Sequence, residues 1–358
     1  MRIGILNCGG DCPGLNAVIH GVVGAAASKG WEAIGFRDGF EGLLPAGGNF
    51  QFLTPKDTEG ILKMGGTILG TTNKGNFAAK VGEGDVARVP QEIVDRAKKT
   101  LDHLSISALV VVGGDGSLTT AQQLFEQGWP IIGVPKTIDN DLKATAMTFG
   151  FDSAVSTVVD ALDRLHTTAQ SHKRVMVLEV MGRHAGWIGL WGGMAGSANV
   201  ILLPEIPFTY EKIAEHLKKR EALGYTSSLV VVAEGAKNPE GDLATIDANE
   251  GGEVRLGGIG EQVAQKIGEL TGKETRCTVL GHIQRGGTPT PLDRILGIRF
   301  GVMAAQLAEE GSFGRMVSYQ SYHVGSVPIK EAIDELRLVE SEAEVVKAAR
   351  AVGVCFGD

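Results

Sequence analysis

Nearly continuous apolar runs recur along the chain, each short enough to be one strand. RIGIL (2–6), EAIGF (32–36), ALVVVGG (108–114) and PIIGV (130–134) read as buried strands, and RVMVLEV (174–180), ANVILL (198–203), SLVVVAE (228–234) and RCTVLG (276–281) repeat the pattern. Between several of them the apolar positions take up helical spacing. Residues 90–104 open on Pro90, whose fixed φ suits a first helical turn. Residues 210–223 place Ile213, Ala214 and Leu217 on one stripe, with Thr209 as the N-cap. Strands apolar on both faces, alternating with amphipathic helices, predict mainly parallel sheets flanked by helices, an α/β fold. Such sheets bind ligands at the carboxyl ends of their strands, so chemistry is sought there first.

The 358 residues are enough for two α/β domains, and the second set of strands begins after a boundary expected near residues 142–152. No linker or internal repeat marks that boundary. An apolar fraction of 43% and a charged fraction of 21% exclude a disordered chain. The 51 glycines show no period and point to many strand-to-helix turns. A net charge of −8, without any long Lys/Arg run, excludes a nucleic-acid footprint and leaves basic residues to act locally, as in a small phosphate pocket. Cys8 and Cys12 flank a Gly-rich loop with no second ligand pair, so these two, with Cys277 and Cys355, are expected to be free thiols in a reducing cytoplasm. The first residues hold no long apolar segment of a signal peptide, and no run reaches membrane-spanning length, so no membrane partner is expected.

Four groups of residues at strand ends carry candidate chemistry. GGDCPGLN (9–16) follows the first strand and opens a helix; its glycines allow positive φ and bring N–H groups near an anion, though a tight turn alone would also use them. In GGDGS (113–117) Asp115 stands in the loop, where an acid would repel phosphate unless a cation such as Mg²⁺ lies between; the alternative is a helix cap. Neither loop is a Walker A sequence, and no G-x-G-x-x-G follows the first strand, which counts against a dinucleotide-binding dehydrogenase. In PKTIDND (135–141) the residues Thr137, Asp139 and Asp141 alternate with Lys136 and its successors, so on an extended segment they would face one pocket. Two carboxylates and a hydroxyl suit proton abstraction from an alcohol, a metal site or an Asx-rich turn. Arg174, Arg183, Arg276, His282 and Arg285 supply positive charge near strand ends, and Glu234 closes its strand as an acceptor for sugar hydroxyls or as a cap.

GGDCPGLN, GGDGS, PKTIDND, MGRHAGW and GHIQRGG, in this order and spacing, resemble the 6-phosphofructokinase family from the first strand to about residue 310. The resemblance is to bacterial ATP-dependent members carrying the PKTIDND lysine. It implies a donor domain of residues 1–150 plus about 284–334 and a fructose 6-phosphate domain of about 151–283 plus 335–358, with the active site in the cleft between them. Gly10, Gly113, Gly114, Asp115, Gly116 and Ser117 would cradle the donor, and Asp115 would bind its Mg²⁺. Asp139 would take the proton from the 1-hydroxyl, Asp141 would support it, and Thr137 would steady the transferred group. Met181, Gly182, Arg183 and Glu234 would hold the sugar, and His282 and Arg285 its 6-phosphate. Arg174 and Arg276 would reach across from a neighbouring subunit, implying a homodimer or homotetramer.

Two departures from the family stand out. Asn73 occupies the place of an arginine that many members use on the transferring group, with Lys74 beside it as a flexible substitute. His20, Gly24, His166 and Asn199 stand where effector-controlled members carry mostly arginines, so weak or no response to nucleoside diphosphate and phosphoenolpyruvate is expected. The donor is expected to be ATP. Aspartate at position 116, as in pyrophosphate users, would oppose an α-phosphate by about 4 kcal/mol at ~4 Å and an effective dielectric near 20. Gly116 removes that obstacle, while Lys136 occurs in pyrophosphate users and in a branch of ATP users, and is expected to touch the donor phosphates. A pyrophosphate-dependent enzyme is the alternative. An NAD or diacylglycerol kinase would share GGDGS but leave PKTIDND and GHIQRGG without a task, and a non-catalytic sensor would not need both Asp115 and Asp139.

Overall fold

The computed structural model of the chain describes residues 1–45, 48–77, 87–248 and 254–358. They form two compact units: unit 1 comprises Met1–Ile138, Leu142–Ser153 and Arg285–Leu336, and unit 2 comprises Asp139–Asp141, Ala154–Gln284 and Arg337–Asp358. Unit 1 begins with β1 (Arg2–Asn7), α1 (Leu15–Ser28), β2 (Glu32–Phe36), β3 (Phe50–Leu53), α2 (Gln91–His103), β4 (Ala108–Gly113), α3 (Asp115–Glu126) and β5 (Ile131–Pro135). From α4 (Phe151–His172) the chain passes into unit 2, with β6 (Val175–Val180), α5 (Trp187–Ala195), β7 (Val200–Leu202), α6 (Tyr210–Ala222) and β8 (Ser228–Ala233). There follow β9 (Thr245–Ala248), β10 (Val254–Leu256), α7 (Ile259–Thr271) and β11 (Thr275–Val279). Unit 1 resumes with α8 (Pro291–Glu309), β12 (Arg315–Gln320), β13 (His323–Pro328) and α9 (Ile329–Ile333), and α10 (Glu344–Ala351) belongs to unit 2.

Unit 1 is built on a seven-stranded sheet of order β13-β12-β5-β4-β1-β2-β3. Its five inner strands are parallel, and only the outer β3 and β13 run antiparallel. Unit 2 holds a four-stranded, all-parallel sheet of order β11-β6-β8-β7, with β9 and β10 as a separate antiparallel pair. Every residue of β4, β6 and β8 is buried, as helices on both faces of a parallel sheet require. The sequence-level strands are all present, displaced by no more than two residues at either end. Thr209 caps α6, its hydroxyl accepting the Lys212 N–H at 3.4 Å. Pro90 takes the cap position just ahead of α2 instead of its first turn. Among the described residues no helix is long and apolar enough to cross a membrane.

Candidate active site

In unit 1 the parallel strands deliver three of the candidate motifs to their carboxyl ends. β1 runs into Gly9 and then Gly14, at φ 82° and 105°, and α1 starts directly afterwards. These left-handed turns admit glycine with least strain. The loop is tied from several sides: Gly9 N–H donates to the Thr72 carbonyl at 2.9 Å, and Thr71 Oγ1 donates to the Gly9 carbonyl at 2.7 Å. Lys136, 4% exposed, extends from the end of β5 and donates from Nζ to the Gly10 carbonyl at 2.6 Å. Arg285 lies against Gly10 and donates from Nη1 to the Asp11 carbonyl at 3.2 Å. The thiols of Cys8 and Cys12 beside this loop are pushed up to about 12 by burial, which Lys136 only partly offsets, so neither is a thiolate nucleophile.

β4 ends at Gly113, where a Cβ would collide with the Ser117 side chain. Asp115 is therefore not in mid-loop, as the spacing suggested. It is the first residue of α3, after Gly114 at the cap, and Gly116 and Ser117 complete the same half-buried first turn. Backbone N–H groups of a helix start favour an anion, and a first-turn carboxylate there can share a cation with it. Among the described residues no three His, Cys, Asp or Glu side chains gather into a metal site. Mg²⁺ that takes most of its oxygens from donor phosphates and water needs only one or two carboxylates, so Asp115 fits that group. Lys74 is exposed, and its backbone N–H and carbonyl are engaged by Thr72 Oγ1.

The PKTIDND stretch departs from the extended geometry expected of it. The strand ends at Pro135, the chain bends at Ile138 and Asp139, and Asn140 is left-handed at φ 54°. Strict alternation of sides therefore does not hold from Ile138 onward. Thr137 belongs to unit 1 and Asp139 and Asp141 to unit 2. Thr137 and Asp139 are each 8% exposed and Asn140 2%.

In unit 2 the ends of β6 and β8 meet. Glu234 N–H donates to the Val180 carbonyl at 2.8 Å, and Glu234 Oε1 accepts the Arg183 N–H at 3.2 Å. Met181, Gly182, Arg183 and Glu234 are thus brought together, with Gly182 and Arg183 both at positive φ. His282 is exposed in the short turn after β11. Arg174 and Arg276 sit elsewhere, at the starting ends of β6 and β11, where both pair with Glu274. The six residues of β6 put that end roughly 20 Å from Arg183. The hydrogen bond from Arg174 holds the Glu274 carboxyl below the usual carboxylate range.

At the positions compared with effector sites, His20 Nδ1 lies 3.2 Å from the Thr58 carbonyl, and Asn199 Oδ1 accepts the Leu229 N–H at 2.9 Å. Gly24 and His166 are exposed. Nothing in the sequence marks Glu205, whose Oε1 accepts the Gly186 N–H at 2.8 Å and the Val339 N–H at 2.9 Å. Burial pushes the Glu205 carboxyl up, against the pull of those two amides. No sequence signal marks Arg337, whose carbonyl accepts the Trp187 indole N–H at 2.8 Å, or, in unit 1, Asp293, whose carboxylate accepts the Ser153 N–H at 2.8 Å.

The family model of phosphofructokinase matches residues 2–308. An ATP-dependent 6-phosphofructokinase of Chloroflexus aggregans is 50% identical over 357 residues, covering 100% of this chain and 98% of that protein. The structure of phosphofructokinase from Saccharomyces cerevisiae superposes with a TM-score of 0.80 at 28% identity, over 99% of this chain and 46% of that longer one. A pyrophosphate-dependent phosphofructokinase of Nitrosospira multiformis gives a TM-score of 0.80 at 22% identity, covering 100% of this chain and 92% of that one, so the fold itself does not select the donor. The chain belongs to the phosphofructokinase family.

Proposed function

We infer that the protein transfers the terminal phosphoryl group of ATP to the 1-hydroxyl of fructose 6-phosphate, giving fructose 1,6-bisphosphate and ADP, a step of glycolysis. The observation that carries this reading is the run from Lys136 to Asp139. Lys136 places its ammonium on the Gly10 carbonyl of the first glycine loop, and the buried Asp139 follows three residues later. Asp139 takes the proton of the 1-hydroxyl as that oxygen bonds to phosphorus and the bond to ADP breaks. Thr137 steadies the group in transit, and Asp141 supports the base. Gly10 and the turn from Gly113 to Ser117 hold the donor phosphates with backbone N–H groups, assisted by Lys136 and by Lys74 in place of the missing arginine. Mg²⁺, when bound through Asp115, neutralises charge on the donor phosphates. Met181, Gly182, Arg183 and Glu234 orient the sugar, and His282 and Arg285 receive its 6-phosphate.

Arg174 and Arg276 lie at the starting ends of β6 and β11, away from Arg183, which supports their service to a neighbouring subunit in a homodimer or homotetramer. Four free thiols support a reducing, cytoplasmic setting. The altered effector positions support an enzyme little affected by phosphoenolpyruvate. For the donor, Gly116 and the ATP-dependent names of relatives outweigh Lys136. The test is a coupled assay with fructose 6-phosphate and Mg²⁺, run with ATP and with pyrophosphate. Turnover with ATP is expected, and Asp139→Asn should lower kcat by roughly 100- to 10,000-fold. Turnover with pyrophosphate alone would overturn the donor, and near-normal turnover in Asp139→Asn would overturn the base.

A further inference from the structure

One short segment, residues 337–339, touches both the aspartate stretch and the MGRHAGW turn of unit 2. Arg337 N–H donates to the Asp141 carbonyl at 2.7 Å, and Arg337 Nη1 reaches the Asn140 carbonyl at 3.5 Å. The Arg337 carbonyl accepts the Trp187 indole N–H at 2.8 Å, while its guanidinium lies 4.3 Å from the centre of the same ring. Two residues on, Val339 N–H donates to the Glu205 oxygen that also accepts the Gly186 N–H. Trp187 and Val339 are 7% and 2% exposed, so water hardly competes for these bonds.

We propose that Arg337 is a positioning residue for phosphoryl transfer, its segment locking the carbonyls flanking Asp141 to the turn that carries Arg183. Both ends of this link are backbone under constraint. Asn140 is left-handed at φ 54°, and Gly182 and Arg183 stand at φ 145° and 50°. Non-glycine residues keep such angles when their surroundings hold them. Arg337 adds to that hold from a single point: its backbone engages Asp141 and Trp187, and its side chain covers the Trp187 ring and the Asn140 carbonyl. Cation–π contact with a desolvated tryptophan favours one orientation of the ring and so of the helix start at Trp187. Asp139 and Arg183 act on the reacting sugar in the reading above, and the proposal rests on that reading.

Steady-state kinetics of the full-length enzyme test it with Arg337→Ala, Arg337→Lys, Trp187→Phe and the control Asp139→Asn. Arg337→Ala should lower kcat by roughly 10- to 100-fold, as small misplacement of reacting groups does. KM for fructose 6-phosphate should rise, while KM for ATP stays within about twofold, because the interactions lost serve the sugar side only. Arg337→Lys keeps a cation over the ring without the planar fork and should recover part of the loss. Trp187→Phe keeps the ring, loses the indole donor and should fall between Arg337→Lys and Arg337→Ala. If Arg337→Ala does not fold, the kinetics of Arg337→Lys and Trp187→Phe decide between the two outcomes. Wild-type kcat and KM in the folded Arg337 and Trp187 variants, or equal rises in both KM values, would overturn the positioning role. Loss in the Arg337 variants with full turnover in Asp139→Asn would fault the base assignment and leave the positioning link standing.

Discussion

Asp293 has no exposure to solvent, and its carboxylate accepts the Ser153 N–H at 2.8 Å and the Ser153 hydroxyl at 2.6 Å. Burial pushes its pKa from an ordinary 3.8 to about 6; the Ser153 bonds restrain the rise and the charge of Asp152 adds to it. A pKa raised on folding means the folded state binds the proton more tightly than the unfolded one. The stability from this group is fully present below pH 3.8 and is lost as pH rises through about 6. The shift corresponds to about 3 kcal/mol. Urea unfolding of the wild type and Asp293→Asn, from pH 4 to 7.5, should show the wild type losing about that much relative to the variant. A pH-independent difference would sink the assignment. The glycine loops and the clustered acids were legible because each needs its residue type locally. Asp293 was not, since its partner Ser153 is 140 residues away and nothing in TPTPLDR announces burial. The same holds for Arg337, which meets Trp187 across 150 residues. The bend at Asp139 escaped the alternation rule because Asn140 adopts a left-handed angle that no neighbour in sequence demands.

The helix α7 shows how an element borrows its cap from another. It starts after Gly258 at φ 96°, without a side-chain cap of its own. Glu179, 2% exposed on β6, accepts the Gly258 N–H at 3.1 Å and the Gly260 N–H at 2.7 Å. A carboxylate at a helix start also meets the positive end of the helix dipole. Glu179→Ala leaves two largely buried amides without their acceptor and should cost about 2–4 kcal/mol in denaturant unfolding. Glu179→Gln retains an acceptor and should recover at least half of the loss; equal stability of all three proteins would refute the capping role. A lone acid inside VMVLEV was the available signal for this cap, since a charge in a doubly covered strand needs a partner. Inner strands other than β12 were legible from their apolar runs alone. The edge strands β3 and β13 were not, because each is half exposed and depends on the neighbour that pairs with it.

At the scale of the whole molecule, each unit is assembled from three separate stretches of chain. Apolar patterning indicated two sets of strands, but it cannot say that residues 139–141 cluster with unit 2 or that residues 285–336 return to unit 1. Long-range packing decides both. The placement of Arg174 and Arg276 is likewise a property of the assembled sheet. Both lie on Glu274 at the starting ends of their strands, although sequence alone put them among the strand-end cations with Arg183. If they serve a neighbouring subunit, two defective chains should repair each other. One chain carries Asp139→Asn, and the other carries Arg174→Ala with Arg276→Ala; each alone should be nearly inactive. In a mixed pair, one site combines the intact Asp139 of one chain with the intact arginines of the other, and the second site has neither. Random pairing of equal amounts in a symmetric dimer makes half the pairs mixed, so about a quarter of all sites are intact. Co-refolded chains should therefore reach about a quarter of wild-type turnover, with the number of active sites reduced and KM near normal. Arginines that act only within their own chain would leave the mixture at the mean of two weak activities, and the shared-site reading would be wrong.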